Sequence, residues 1–206
     1  MRTDEPRYGD AHLSAVEQVG VRWILAVGPR RPPFPRRYVR WEGDRSVDVR
    51  VSFDDQLRVS ETLIQRWHGK GGGRLHVAMM FPTHHPGPTP LAEPEHRELV
   101  RQAQAVRALS RKHGVLFTQD GHSRGSVKFA HEQLGILGPD ALLSHSTELT
   151  EEEIAICRAT DTRIVHNPSA VASMLGRCPV TELLEAGVTV MLGSDGVAPD
   201  RSYDMF

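Results

Sequence analysis

The sequence predicts an α/β protein in which parallel strands alternate with helices. Short apolar runs rich in β-branched residues recur along the chain, and segments with helical periodicity separate them. The runs are mostly continuous rather than alternating, which is typical of strands covered on both faces. Strands separated by helices pair in parallel through right-handed crossovers. Six strands are expected, a number that leaves open a doubly wound sheet and an incomplete barrel, because a complete barrel has eight.

Each predicted strand is a short apolar run between turn or helix signals. The runs are Val21–Val27, Leu75–Phe81, Val115–Gln119, Ala141–His145, Thr162–His166 and Val188–Leu192. The predicted helices cover Ala11–Val19 with Asp10 as the cap, Asp55–His68, Glu95–His113, a segment that begins at a Thr150/Glu153 capping box, and Pro179–Ala186. The basic stretch Arg30–Arg37 contains three prolines and is interpreted as a solvated loop, with an anion site as the alternative.

Composition and charge exclude several classes of function. The chain has 206 residues and a formal net charge of −1, so no overall field favours nucleic acid or a membrane surface. Its two cysteines, Cys157 and Cys178, form no disulfide framework or metal-binding spacing. No apolar run is long enough to suggest a membrane span. We therefore expect a soluble, cytoplasmic protein, with residues 1–206 forming one domain.

Imidazole and carboxylate groups follow consecutive predicted strands. The strand ends carry His122, His145, the pair His166-Asn167, and Asp195. Because parallel α/β folds bind ligands beyond the carboxyl ends of their strands, these side chains are expected in one cleft. Imidazoles with one carboxylate are ligands suited to Zn²⁺ or Fe²⁺. The pattern predicts a divalent metal ion that activates a water, and a carboxylate that transfers the proton of that water.

Four stretches together resemble the amidohydrolase superfamily, in particular its metal-dependent triazine hydrolases and heterocycle deaminases. These stretches are Leu143–Ile154 (LSHSTELTEEEI), Arg163–Ser169 (RIVHNPS), Cys178–Val188 (CPVTELLEAGV) and Leu192–Gly196 (LGSDG). Their order and spacing match that group from about residue 135 to 197, and more weakly back to Gly20. The resemblance implies an incomplete (β/α)₈ TIM-type barrel whose strands correspond to the third to eighth.

The resemblance also implies roles for individual residues. His145 corresponds to the sixth-strand histidine, which binds metal or polarises the substrate. His166 and Asn167 correspond to the seventh-strand pair near the substrate, and Asp195 to the eighth-strand metal ligand and proton shuttle. His122 is a further candidate for catalysis and metal binding. The predicted metal ligands are therefore His145, Asp195 and His122, for one zinc or iron ion.

Three features depart from the pattern of that group. The His-x-His pair that the first strand supplies in the group is absent from this sequence. Gln119 stands where the fifth-strand metal histidine is expected, and His122 where the acid of the same motif is expected. The His166-Asn167 loop continues with Ser169 rather than a second asparagine. These departures leave two alternatives, that His122 takes over one of the missing roles or that the metal is lost. The length of the chain favours a fragment, because typical barrels have about 250 residues.

Two functions from different classes are compatible with these patterns. The first is a metal-dependent hydrolase of carbon–nitrogen bonds other than peptide bonds, which deaminates an amino-substituted heterocycle. The second is a non-catalytic, truncated barrel that acts as a binding or assembly module. In either case we expect a small-molecule ligand, no nucleic acid or membrane partner, and a homo-oligomer.

Overall fold

A computed structural model describes residues 2–174 and 176–196. The chain divides into two compact units. The first comprises Met1–Phe81 and Ala105–Leu116, and the second comprises Pro82–Gln104 and Phe117–Phe206.

The first unit begins with a helix, a strand and a hairpin: α1 (Pro6–Val19), β1 (Trp23–Val27), β2 (Arg36–Glu42) and β3 (Arg45–Val51). It continues with α2 (Phe53–Trp67), the short turn α3 (Lys70–Gly73) and β4 (Leu75–Met80). β1 and β4 pair in parallel, as predicted. Ser52 caps α2, and Asp55 completes a capping box, which satisfies amide groups at the start of the helix.

The helix α4 (Glu93–His113) connects the strand β4 with β5 (Phe117–Gln119). In the second unit, β5, β6 (Ala141–Ser144), β7 (Arg163–His166) and β8 (Val190–Leu192) pair in that order, each in parallel with the next. The helical segments between and beside them are α5 (Ser126–Phe129), a π-helical turn (Ala130–Leu134), α6 (Glu151–Thr160), α7 (Pro168–Met174) and α8 (Val180–Glu185). All six predicted strands are present, so the α/β fold class is confirmed.

The second unit is held together by an apolar core and by one buried carboxylate. Phe117, Leu143 and Ile164, one from each of three strands, are completely buried. Thr150 and Glu153 form the predicted capping box of α6. Glu153 is only 1% exposed, and its carboxylate also accepts the backbone N–H of Val127 at 3.0 Å. Since this bond joins the starts of α5 and α6, it fixes the segments that follow β5 and β6.

One expectation for the first unit is wrong, and the bounds of a second need correction. The helix α1 begins at Pro6, so Asp10 lies inside it and is not its cap. Asp10 instead accepts hydrogen bonds from Arg66 and from the indole of Trp67, and these long-range contacts replace the capping role. The solvated loop predicted for Arg30–Arg37 ends in the strand β2, which forms an antiparallel hairpin with β3.

The hairpin has a local cause that sequence reasoning missed. Polar and apolar residues alternate along β3 (RSVDVRV), and Gly43 adopts a left-handed conformation, with φ of 63°, in the turn. Such alternation is typical of strands with one solvated face.

Among the described helices, none is long and apolar enough to cross a bilayer.

Candidate functional site

The candidate site lies in the second unit, at the carboxyl ends of β6 and β8. His145 directly follows β6, and its backbone N–H donates to the carbonyl oxygen of Val165 at 3.0 Å. Its imidazole Nε2 lies 3.7 Å from Oδ2 of Asp195. The His145 side chain is 9% exposed and that of Asp195 is 34% exposed. The structure therefore brings together an imidazole and a carboxylate that the sequence predicted to converge, in a setting with limited access to water.

Both members of this pair have an unusual backbone conformation. His145 has a φ of 66° and Asp195 a φ of 60°, in the left-handed region, which is uncommon for residues other than glycine, although asparagine, aspartate and histidine adopt it more often than most. Ser146 has a φ of 52°. Strained backbone of this kind persists where the surrounding structure enforces it, and it clusters at functional sites.

A third side chain in the cluster, Asp120, was missed by the sequence analysis. Oδ1 of Asp120 lies 3.3 Å from Nε2 of His145, and it accepts a hydrogen bond from the hydroxyl of Ser144. Its side chain is 73% exposed. The signal was present in the sequence, because Asp120 is the first residue after β5 and lies at the same edge as the other strand ends.

His166 is the last residue of β7 and Asn167 directly follows it, and His166 lies close to His145. Burial, and next the nearby His145, lower the pKa of His166 below its ordinary value. Nδ1 of His166 is buried and makes no hydrogen bond to the described part of the chain. Asn167 is 5% exposed, and its side-chain oxygen occupies the space that a Cβ at position 193 would need. Gly193 is therefore required for the close packing of Asn167 against the loop that carries Asp195.

His122 is placed differently from the other predicted residues. Its ring is 1% exposed, and Nδ1 lies 2.8 Å from the hydroxyl of Ser126. Because that hydroxyl donates to the carbonyl of Ser123, the hydrogen bond with His122 runs from Nδ1–H to Ser126. Burial, and next the nearby His85, lower the pKa of His122 to about 3. His122 is thus a neutral, interior histidine, and its predicted catalytic role stays a prediction.

Gln119, at the position expected for a metal histidine, is completely buried. Its amide nitrogen donates to the carbonyl of Pro82 at 3.4 Å, while Oε1 has no hydrogen-bond partner among the described residues. An uncharged amide at this position contributes no good ligand for zinc.

Among the described residues, the donors do not complete a metal site. Within residues 2–174 and 176–196, no group of three or more His, Cys, Asp or Glu side chains is arranged to hold a metal ion. Catalytic zinc needs three protein ligands and a water. His145 and Asp195 have suitable chemistry for part of such a set, and the ligand set His145, Asp195 and His122 stays a prediction.

Parallel strands thus carry an imidazole–carboxylate cluster at their carboxyl ends, where α/β folds bind their ligands. The chain is similar to 5'-deoxyadenosine deaminase from Methanothermobacter thermautotrophicus, with 30% identity over 97% of this chain and 44% of the relative. It is 31% identical to 5-methylthioadenosine/S-adenosylhomocysteine deaminase from Moorella thermoacetica, over 95% of this chain and 42% of the relative. No family model matches the sequence.

Solved structures share the fold. An adenosine deaminase from Xanthomonas campestris with bound zinc has a TM-score of 0.68 at 19% identity, over 95% of this chain and 42% of that one. Atrazine chlorohydrolase from Arthrobacter aurescens with zinc has a TM-score of 0.59 at 19% identity, over 92% and 42% of the two chains. The resemblance to deaminases and triazine hydrolases that the motifs indicated is confirmed.

The chain spans less than half the length of the curated relatives it matches. The same holds for the two solved structures, and an incomplete barrel is consistent with this coverage.

Proposed function

We propose that this chain forms the strand-end, substrate-facing part of a hydrolase that deaminates an amino-substituted heterocycle. One observation carries the proposal: Nε2 of His145 faces the Asp195 carboxylate at 3.7 Å, at the ends of strands that the chain shares with deaminases. A half-buried carboxylate beside an imidazole is suited to acid–base chemistry, because both groups can accept a proton from a bound water and return it to a leaving group.

The proposed reaction replaces an exocyclic amino group with oxygen. A water adds to the ring carbon that bears the amino group, and Asp195 accepts one proton from that water. Asp195 then donates the proton to the amino nitrogen, the carbon–nitrogen bond breaks, and ammonia leaves. The remaining hydroxyl proton moves from the oxygen to the adjacent ring nitrogen, which gives the ring carbonyl compound. The net change is the addition of one water and the loss of one ammonia.

His145 would contact the substrate or its attacking water on the side opposite the bulk solvent. Its side chain is 9% exposed, whereas the Asp120 carboxylate beside Nε2 is 73% exposed, so a ligand beside Nε2 would be shielded from water on the imidazole side. Shielding strengthens the interaction of a polarised substrate with the imidazole and the carboxylates. The pair would therefore orient the amino-bearing carbon and support proton transfer at the same point.

We propose zinc as the metal ion of the complete site. Zinc supplies a bound water of lowered pKa, and both solved structures described above contain zinc. The ligands that this site requires in addition to His145 and Asp195 are not arranged among the described residues. The relatives' names support a 6-aminopurine nucleoside as the substrate class.

The test is an ammonia-release assay on the polypeptide that carries this sequence in its natural host. The purified protein, loaded with zinc, is incubated with adenosine, 5'-deoxyadenosine, guanine and an aminotriazine. Zinc-dependent ammonia release from at least one of them is expected. A zinc-loaded protein that deaminates none of these compounds would overturn the proposal and favour the non-catalytic binding module, for which the comparisons give no support.

The 206-residue chain assayed alone is a matched comparison. It lacks the His-x-His pair, so we expect no measurable turnover from it. Zinc-dependent ammonia release by this chain would show that its own residues complete the site.

We also propose that the chain self-associates and acts in the cytoplasm. Among the described strands, β1 pairs only with β4, and its residues Trp23 and Ile24 are 40% and 50% exposed. Unpaired, apolar strand edges promote association. Sedimentation velocity should show oligomers, and Ile24→Lys should reduce them; a monomer at all concentrations would contradict the proposal.

A further inference from the structure

Asp120 has more defined contacts than its exposure suggests. Its backbone carbonyl accepts a hydrogen bond from the Thr83 hydroxyl at 2.7 Å, and its carboxylate accepts one from the Ser144 hydroxyl. The same serine oxygen accepts the backbone N–H of Gly121 at 3.4 Å. Asp120 is therefore held at its main chain and at its side chain, and the second anchor belongs to β6, the strand that carries His145.

Asp120 provides the nearer of two carboxylates to His145. The distance from Nε2 is 3.3 Å to Asp120 and 3.7 Å to Asp195. On the other side of the ring, Nδ1 is buried and has no hydrogen-bond partner in the described part of the chain. Among the described residues, the polar contacts that orient the imidazole are consequently those at Nε2, and the shorter of them is with Asp120.

We propose that Asp120 is a positioning residue for His145. It holds the imidazole so that Nε2 lies between the carboxylates of Asp120 and Asp195. The inference rests on the proposed function for its catalytic consequence, but the orientation of the ring is testable without turnover.

This arrangement gives Asp120 a role that its neighbours do not fill. Gln119 is buried and donates to Pro82, and His122 donates to Ser126. Both side chains are therefore engaged in the interior, whereas Asp120 contacts the histidine that the site uses. A partner that orients a functional histidine typically affects activity by about 10- to 100-fold when it is removed.

The first experiment uses the full chain with ¹³C,¹⁵N-labelled histidine. The imidazole signals of His145 are assigned by their loss in His145→Asn. Asp120→Asn is expected to shift these signals, while Glu185→Gln, which removes an exposed carboxylate on α8, leaves them unchanged. If Asp120→Asn fails to fold, Ser144→Ala removes the hydroxyl that holds Asp120 and should shift the same signals. Unchanged His145 signals in a folded variant, or equal shifts in the Glu185 control, would overturn the proposal.

The second experiment measures kcat and KM in the natural polypeptide. Asp120→Asn should lower kcat about tenfold or more and leave KM within about twofold, since the ring is misoriented while the substrate contacts remain. An unchanged kcat would overturn the positioning role. If the wild-type protein deaminates nothing but the His145 signals respond to Asp120→Asn, the proposed function is wrong and the positioning of His145 stands.

Discussion

His122 and His145 both follow the carboxyl ends of neighbouring parallel strands, yet the structure gives them opposite environments. The ring of His122 is 1% exposed and donates to Ser126 within its own loop. The ring of His145 faces the carboxylates of Asp120 and Asp195. His145 directly follows the last residue of β6, whereas His122 lies three positions beyond Gln119, the last residue of β5.

The difference shows that a position near a strand end defines which edge of the sheet a residue occupies, but not what its side chain meets. A residue directly after the strand keeps a position set by the sheet. A residue further along depends on the path of the loop. The loop after β5 turns at Gly121, with a φ of 79°. The buried ring of His122 then forms a hydrogen bond with the hydroxyl of Ser126.

The largest expected effect is the loss of turnover when Asp195 is replaced. In the natural polypeptide, Asp195→Asn should reduce turnover by about 10²- to 10⁴-fold, because the amide cannot accept a proton. The fold should survive, since asparagine tolerates the left-handed φ of 60° at this position. Turnover and thermal melting are measured together.

A matched control for this substitution is Asp161→Asn, at a residue that also has a left-handed φ, 53°, at the end of α6. It should leave turnover unchanged. Full activity in Asp195→Asn would mean that this acid only stabilises its loop. The carboxylates around His145 would then not distinguish it functionally from His122.

The second prediction concerns the pH dependence of stability that the buried His122 gives to the chain without metal. Burial, and next His85, lower the pKa of His122 from 6.5 to about 3. The unfolded chain therefore binds more protons than the folded chain between these values, and stability falls as the pH falls through this window. The slope contributed by one such group is at most about 1.4 kcal/mol per pH unit.

His122→Gln should flatten this pH dependence, and His131→Gln, at an exposed histidine, should not. The measurement is the free energy of unfolding by urea between pH 4 and pH 7, where the folded chain keeps His122 neutral and the unfolded chain gains its proton. Equal slopes for the wild type and His122→Gln would show that the ring is not buried as the structure has it.

The smallest expected effect is a difference in stability between two serine-to-alanine variants. Ser126 hydrogen-bonds to His122, and Ser144 hydrogen-bonds to Asp120, the nearer of the two carboxylates to His145. Ser126→Ala should cost about 1–3 kcal/mol of stability, because the buried Nδ1–H of His122 loses its acceptor. Ser144→Ala should cost about 1 kcal/mol or less, since the carboxylate it serves is 73% exposed. Urea unfolding curves measure the loss of stability in each variant. A larger loss in Ser144→Ala than in Ser126→Ala would contradict the prediction.

Much of the fold could be predicted from local patterns. The six apolar runs are all strands, and the capping box at Thr150 and Glu153 starts α6. These features depend on near neighbours in the chain. The role of Asp10 could not be predicted, because its partners Arg66 and Trp67 are distant in sequence.

In the candidate site, too, some features could be predicted from the sequence and others depend on contacts between distant residues. The sequence predicted that His145, His166 and Asp195 lie at one edge, because parallel strands present their carboxyl ends together. It did not predict Asp120, whose significance depends on a distance to His145 across two strands. It also could not show that the ring of His122 lies in the interior.

By itself, the sequence determined the order of strands and helices, the edge at which the chemical groups collect, and the resemblance to deaminases. Periodicity, caps and motif spacing are local or linear properties, and a single chain carries them in full. The tertiary structure alone decided that Asp120 and Asp195 flank Nε2 of His145 and that Ser126 holds His122. Those outcomes depend on loop paths and packing between strands, because ångström distances between side chains far apart in sequence arise only when the chain is folded.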